Sequence, residues 1–124
     1  MLKTITLVGI GGAIGSILRY LTATFVNNKF LSTFPFGTLT VNITGCFLIG
    51  VIYALAEGNK IGPDLRFFLA VGVCGGFTTF STFSMESFSL LREGHLLYAC
   101  AYMGASVVLG VLATFIPVML IEKL

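Results

Sequence analysis

Charge is what this 124-residue sequence has least of. Seven Lys and Arg and five Asp and Glu make up 10% of it, where a soluble globular domain carries about 25%. So few charges cannot solvate a water-facing surface, which excludes an ordinary soluble domain and a disordered chain. The basic residues form no run and the net charge is only +2, which excludes nucleic acid as a partner. Cysteine is scarce and odd in number: Cys46, Cys74 and Cys100 have no CxxC spacing and only one His, His95, to join them. A secreted disulfide scaffold and a metal cluster are thereby excluded; the thiols read as apolar groups packed between helices. His95, in a loop, reads as a solvated turn residue. The sequence also lacks a Ser-His-Asp set, a P-loop and a GxGxxG leading out of a strand. Nothing points to an enzyme.

What is present is apolar. Hydrophobic residues make up 56% of the chain and its mean hydropathy is +1.02. The solvent for most of this chain is lipid, in which a backbone must satisfy its own hydrogen bonds, and helices do that. A span needs about 20 mostly apolar residues, and the charges mark out four: about 4–26, 36–56, 67–85 and 96–121. Together they form one transmembrane domain over 1–124, all-α, with no soluble portion left over. Lys3 before an apolar stretch imitates a signal peptide, but the stretch is rich in Gly, Arg19 interrupts it and no A-x-A-like site follows. It reads as mature protein. Turn chemistry fills the connections at 30–37, with Pro35 and Gly37, and 57–64, with Gly58, Gly62 and Pro63; the connection at 92–95 is a short polar one.

Four spans put Lys3, Lys60, Arg66 and Lys123 on one side of the membrane and Lys29 and Arg92 on the other, with Arg19 joining them if it reaches that far. The positive-inside rule reads that difference, and here it is small, which leaves insertion in both orientations and insertion in one equally open. Four helices alone leave little room for a polar path. A transporter of this size should be an oligomer, and mixed orientations make an antiparallel homodimer the natural closed assembly. Gly11/Gly15 and Gly72/Gly76 have the small-xxx-small spacing that lets helices approach closely.

The third span is unusual. Gly75-Gly76 lies near its middle, followed by Thr78, Thr79, Ser81, Thr82 and Ser84. Adjacent glycines and hydroxyl residues continue a helix poorly, so the reading is a kink or a break at Gly75-Gly76. A break would free carbonyls for a hard cation. Phe80 and Phe83, three apart, share one helical face. They are core packing or, with Ser81, Thr82 and Ser84, a face of ring edges and hydroxyls suited to an anion. Asn42 is the only Asn or Gln deep in a span, either interhelical glue or a donor to a small anion. Thr38 lies one turn back on its face. Arg19 either snorkels to the interface or lends positive potential to a pore mouth. Glu86 either ends its helix in water or sits on a polar path. Tyr102 and Ser106, four apart, present two O–H groups on one face of the fourth span. Thr114 lies two turns on, and Pro117 reads as a kink.

The stretches GGFTTFSTFS (75–84), GTLTVNITG (37–45), RY (19–20) and AYMGAS (101–106) resemble the small fluoride-exporting channels of the Fluc/CrcB family. The resemblance runs along the whole chain in length, span count and motif order. It implies an antiparallel, dual-topology homodimer in the bacterial inner membrane, with two separate fluoride pores. By that resemblance Phe80 and Phe83 are the paired rings lining each pore, one from each subunit, and Asn42 donates to fluoride from a vestibule near Arg19. Tyr102 and Ser106 lie along the pore, with Thr38 close by. Glu86, Ser81, Thr82 and Thr114 extend the polar track. The backbone carbonyls of Gly75 and Thr78 from both subunits hold a structural Na⁺. The implied function is passive, fluoride-selective export from the cytoplasm, which lowers fluoride toxicity. Two rivals are a small dual-topology coupled exporter and a non-transporting membrane assembly subunit. The first needs an embedded acid for proton exchange; the first span has none, and Glu86 is the sole candidate.

Overall fold

A computed structural model describes residues 1–122; Lys123, counted in the charge bias, lies outside the described residues. Among the described residues all the regular structure is helical. Helix α1 spans Leu2–Lys29 and α2 spans Phe36–Glu57. A third run begins with the short α3, Pro63–Arg66, and widens into a π-helical segment, Phe67–Cys74. It tightens again in α4, Gly75–Phe77, and after two extended residues resumes as α5, Phe80–Arg92. The last helix, α6, is Leu96–Glu122 and runs unbroken through Pro117. Four of these runs, Leu2–Lys29, Phe36–Glu57, Pro63–Arg92 and Leu96–Glu122, are long and apolar enough to cross a membrane.

The third run extends at both ends beyond 67–85. Pro63, favoured at a helix start because it has no N–H to lose, opens it early. Glu86 does not end it, because the Thr38 hydroxyl on α2 donates to its carboxylate at 2.5 Å.

Lipid tails are as apolar as leucine, so helices in a membrane associate through close packing and interhelical hydrogen bonds. Both devices are visible here. Helix α1 lies against the π segment and α4, and α2 against α6. The two small-residue motifs face each other. A Cβ on Gly15 would overlap the Val73 carbonyl, and one on Gly76 would stand 2.5 Å from the Gly12 carbonyl. Between α2 and α6, Thr114 Oγ1 donates to the Cys46 carbonyl at 2.9 Å. Pro117 is buried in the same interface beside Gly50. The outward surface is apolar, with Ile17, Val107, Leu109 and Phe115 exposed as lipid contact requires.

Two expectations change. Cys74 is buried and Cys46 half-buried, but Cys100 is exposed on α6, since its position falls on the outer side of that helix. Lys3 is tied to Asp64 across 2.8 Å, with both side chains exposed, so one counted charge has a counterion beside it.

Candidate functional site

The interruption of the third run lies at Thr78-Thr79, not at Gly75-Gly76. Gly75 has ordinary helical angles, φ −62° and ψ −39°. Thr78 turns extended at ψ 157°, and Thr79 follows at φ −150° and ψ 121°. Gly76 serves close approach to α1 rather than flexibility. Side chains make the break. Thr78 closes the last turn, its N–H and its hydroxyl both donating to the Cys74 carbonyl, at 3.0 and 2.9 Å. Asn42 then takes hold of the next residue. The Thr79 N–H donates to Asn42 Oδ1 at 2.9 Å, and Asn42 Nδ2 donates to the Thr79 carbonyl at 3.1 Å. Thr79 in turn caps α5, its hydroxyl oxygen accepting from the Thr82 N–H at 3.3 Å.

These bonds decide which carbonyls are freed. In a continuous α-helix each N–H donates four residues back. The Thr79 N–H would serve Gly75 and the Thr82 N–H would serve Thr78; both donors are instead held by side chains. The Gly76 carbonyl receives Arg19 Nε at 3.2 Å. Arg19 therefore does not snorkel: α1 carries it to the C-terminal end of α4, where a helix presents partial negative charge.

Past the break, α5 aims its first turn at α6. The Phe80 and Phe83 ring centroids lie 5.7 Å apart, and Phe83 lies 5.2 Å from the Tyr102 ring. Phe83 is half-buried, whereas Phe80 is 78% exposed. A cleft of about 390 Å³ opens beside them, lined by Asn42, Thr79, Phe80, Phe83 and Ser106, with Gly75 and Thr78 along its edge. Tyr102 is fully buried. Its hydroxyl and that of Ser106 are buried without a hydrogen-bond partner among the described residues. The Tyr102 hydroxyl lies close to the Thr38 side chain and the Glu86 carboxylate, and a buried donor such as the Ser106 hydroxyl is costly unless something accepts from it.

A smaller hollow of about 110 Å³ lies on the other side of Thr79, lined by Arg19, Asn27, Thr38, Thr79 and Thr82 among others. Thr79 thus lines both a cationic, hydroxyl-rich hollow and a cleft walled by rings, and Asn42, which holds it, lines the cleft. Glu86 joins the first group through Thr38. Ser81 is exposed, 3.4 Å from the Thr79 hydroxyl. Thr114 lines neither space, and its hydroxyl is bonded to α2. Two residues had no role of their own in the sequence reading. Thr79 carries the break, and its signal was the cap spacing to Thr82 together with the lone Asn42. Asn27 Oδ1 accepts from the Gly37 N–H at 3.0 Å, which satisfies the start of α2.

Four membrane-spanning-capable helices, a third one broken by side chains, and polar groups gathered at the break define a small multi-pass helical membrane protein. A family model described as "CrcB-like protein, Camphor Resistance (CrcB)" matches residues 6–118. The chain is 44% identical over 124 residues to a fluoride-specific ion channel FluC of Flavobacterium psychrophilum, covering 99% of this chain and all of that one. It is 45% identical to a protein of the same name from Phocaeicola vulgatus, over 98% and 100% of the two chains. It is 46% identical to another from Leptospira interrogans, over 98% and 96%. The chain belongs to the CrcB family.

Proposed function

We propose that this chain is a passive, fluoride-selective channel that exports fluoride from the bacterial cytoplasm across the inner membrane and so lowers fluoride toxicity. The observation that carries this reading is the grouping at the helix break. One cleft brings together the Phe80 and Phe83 rings, the unpaired Ser106 hydroxyl and the Asn42 amide, with the Tyr102 ring packed against Phe83. Fluoride is small and strongly hydrated, so a dry path must replace its water with donors. Hydroxyls, an amide and electropositive ring edges supply them without a fixed charge that would hold the ion. Asn42 retains one N–H beyond the one given to Thr79. Arg19 and the threonines of the smaller hollow form the vestibule. Glu86, Ser81 and Thr82 extend the polar track, and Thr114 braces α2 against α6. The names of the relatives support fluoride as the ion.

The working unit of this reading is an antiparallel, dual-topology homodimer with two pores. Support comes from the weak charge bias and from the face a single chain leaves open, with Phe80 exposed beside the cleft. Na⁺ fits this interface. The Gly75 and Thr78 carbonyls have lost their helical donors and are neutral oxygens suited to a hard cation. Two oxygens do not complete a coordination shell, and a second copy would supply the others. Those carbonyls would hold the ion, and its charge would offset the negative ends of their dipoles.

The test is fluoride efflux from liposomes, read with an ion-selective electrode, with chloride run in parallel and Phe80→Ile as the variant. Fast fluoride efflux without chloride efflux, and its loss in Phe80→Ile, is expected. A folded protein that releases no fluoride would falsify the channel reading.

A further inference from the structure

The Tyr102 ring has a second aromatic neighbour besides Phe83, and it comes from a connection. Phe34, between α1 and α2, is half-buried. Its ring meets Tyr102 at 5.7 Å and 86°, and Tyr98, one turn earlier on α6, at 6.0 Å and 88°. Both are edge-to-face arrangements, the geometry in which a positive ring edge meets a negative ring face. Phe34 also packs against the buried cluster of Leu90, Ala99 and Tyr102. A connection would ordinarily run over the surface; this one returns a ring to the bundle.

The backbone around Phe34 is fixed at both ends. Its N–H donates to Ser32 Oγ at 3.2 Å. Its carbonyl accepts from the Phe36 N–H at 2.9 Å. Pro35 between them, at φ −81° and ψ 71°, is the centre of an inverse γ-turn. Proline restricts φ to that region before folding, so little freedom is lost on docking. The Phe36 ring then packs back on Phe34 at 4.8 Å, tilted by 47°. A rigid turn, a ring held between two tyrosines and a neighbouring buried hydroxyl without a partner form one arrangement.

We propose that Phe34 is a positioning residue for the pore: clamped by the turn at Pro35, it fixes the Tyr102 ring so that its hydroxyl is presented to the passing anion. This rests on the channel reading. Phe34 itself touches no ion. It acts through Tyr102, whose ring packs against both Phe83 and Phe34.

The test compares Phe34→Leu, Phe34→Tyr, Tyr102→Phe and the Phe34→Leu/Tyr102→Phe double variant in fluoride-loaded liposomes. Dimer content and thermal stability are measured on the same preparations. Phe34→Leu should slow fluoride efflux by about tenfold, the fold-change to which loss of an aromatic pair corresponds. Phe34→Tyr keeps the ring and should restore most of the flux. With Tyr102 already lacking its hydroxyl, adding Phe34→Leu should slow efflux little further, because both changes remove one interaction. Normal flux in Phe34→Leu, or losses that simply multiply in the double variant, overturns the proposal while leaving the channel reading intact. Equal loss in Phe34→Leu and Phe34→Tyr overturns it too, as does a Phe34→Leu loss that tracks dimer content alone. Normal flux in Tyr102→Phe overturns it by removing the hydroxyl it depends on. A native protein that passes no fluoride overturns the channel reading as well.

Discussion

Asn42 is the residue on which the site turns. Its amide makes two bonds to the Thr79 backbone and so replaces a helical turn with a side-chain clamp. Asn42→Ala removes both, and a buried backbone group left unpaired costs about 1–3 kcal/mol. Thermal stability in detergent and fluoride efflux should both fall. Asn42→Asp keeps the acceptor for the Thr79 N–H but puts a carboxylate beside an anion path. It should retain more of the thermal stability than Asn42→Ala and still lose efflux, and an Asp variant with native flux would refute an anion path at this amide. Thr79 carries the companion role. Thr79→Ala removes the hydroxyl that caps α5, and loss of a helix cap typically costs about 1 kcal/mol. Thr79→Ser should recover that loss in a thermal melt. Reading these two residues from sequence went halfway. A lone amide in an apolar span announces that it has a partner, but the partner lies 37 positions away, and no local pattern names it.

At the scale of the element, the third helical run shows how propensity and packing divide the work. Gly75-Gly76 predicts weakness, and the weakness is not used there, because Gly76 is needed where α4 meets Gly12 of α1. The break moves to the next residues that have hydroxyls to replace backbone bonds. The same contact makes a sharp prediction. Gly15→Ala forces a Cβ into the Val73 carbonyl, a backbone atom that cannot step aside. Helix α1 must separate from the third run, and the yield of monodisperse protein by size exclusion should collapse. Gly9→Ala, also in α1, meets nothing within 4 Å. It should be tolerated in the same assay, with any gain limited to the roughly 1 kcal/mol helix-propensity difference between Gly and Ala. The π-helical winding of Phe67–Cys74 had no counterpart in the sequence reading, since an apolar stretch has the same composition in either winding.

For the whole molecule the question is assembly. On the proposed homodimer, this protein of 13.2 kDa should run, after correction for detergent, at twice that mass. The proposed dual topology gives a further expectation. Thr33→Lys with Glu93→Lys loads the two connections on one side with positive charge. Glu57→Lys with Asp64→Lys loads the other side and breaks the Lys3 pair. Each loaded chain should insert mainly one way. Neither alone should protect fluoride-sensitive cells, and the two co-expressed should. Full protection by either chain alone would argue for a parallel assembly or a working monomer.

The sequence by itself determined the class. Scarce charge and four apolar stretches require lipid as solvent, and lipid requires helices, because no water is present to satisfy an open backbone. It also determined which chemical groups are available, since Asn42, the Phe80 and Phe83 pair and the Tyr102 and Ser106 face stand out against an apolar background. Only the tertiary structure decided where the helix breaks, which carbonyls that frees, that Arg19 caps α4 rather than snorkelling, and that Thr114 braces two helices away from the cleft. Each of these depends on a hydrogen-bond partner on another helix. Such partners are chosen by the three-dimensional approach of backbones at Gly15 and Gly76, which one-dimensional spacing does not encode.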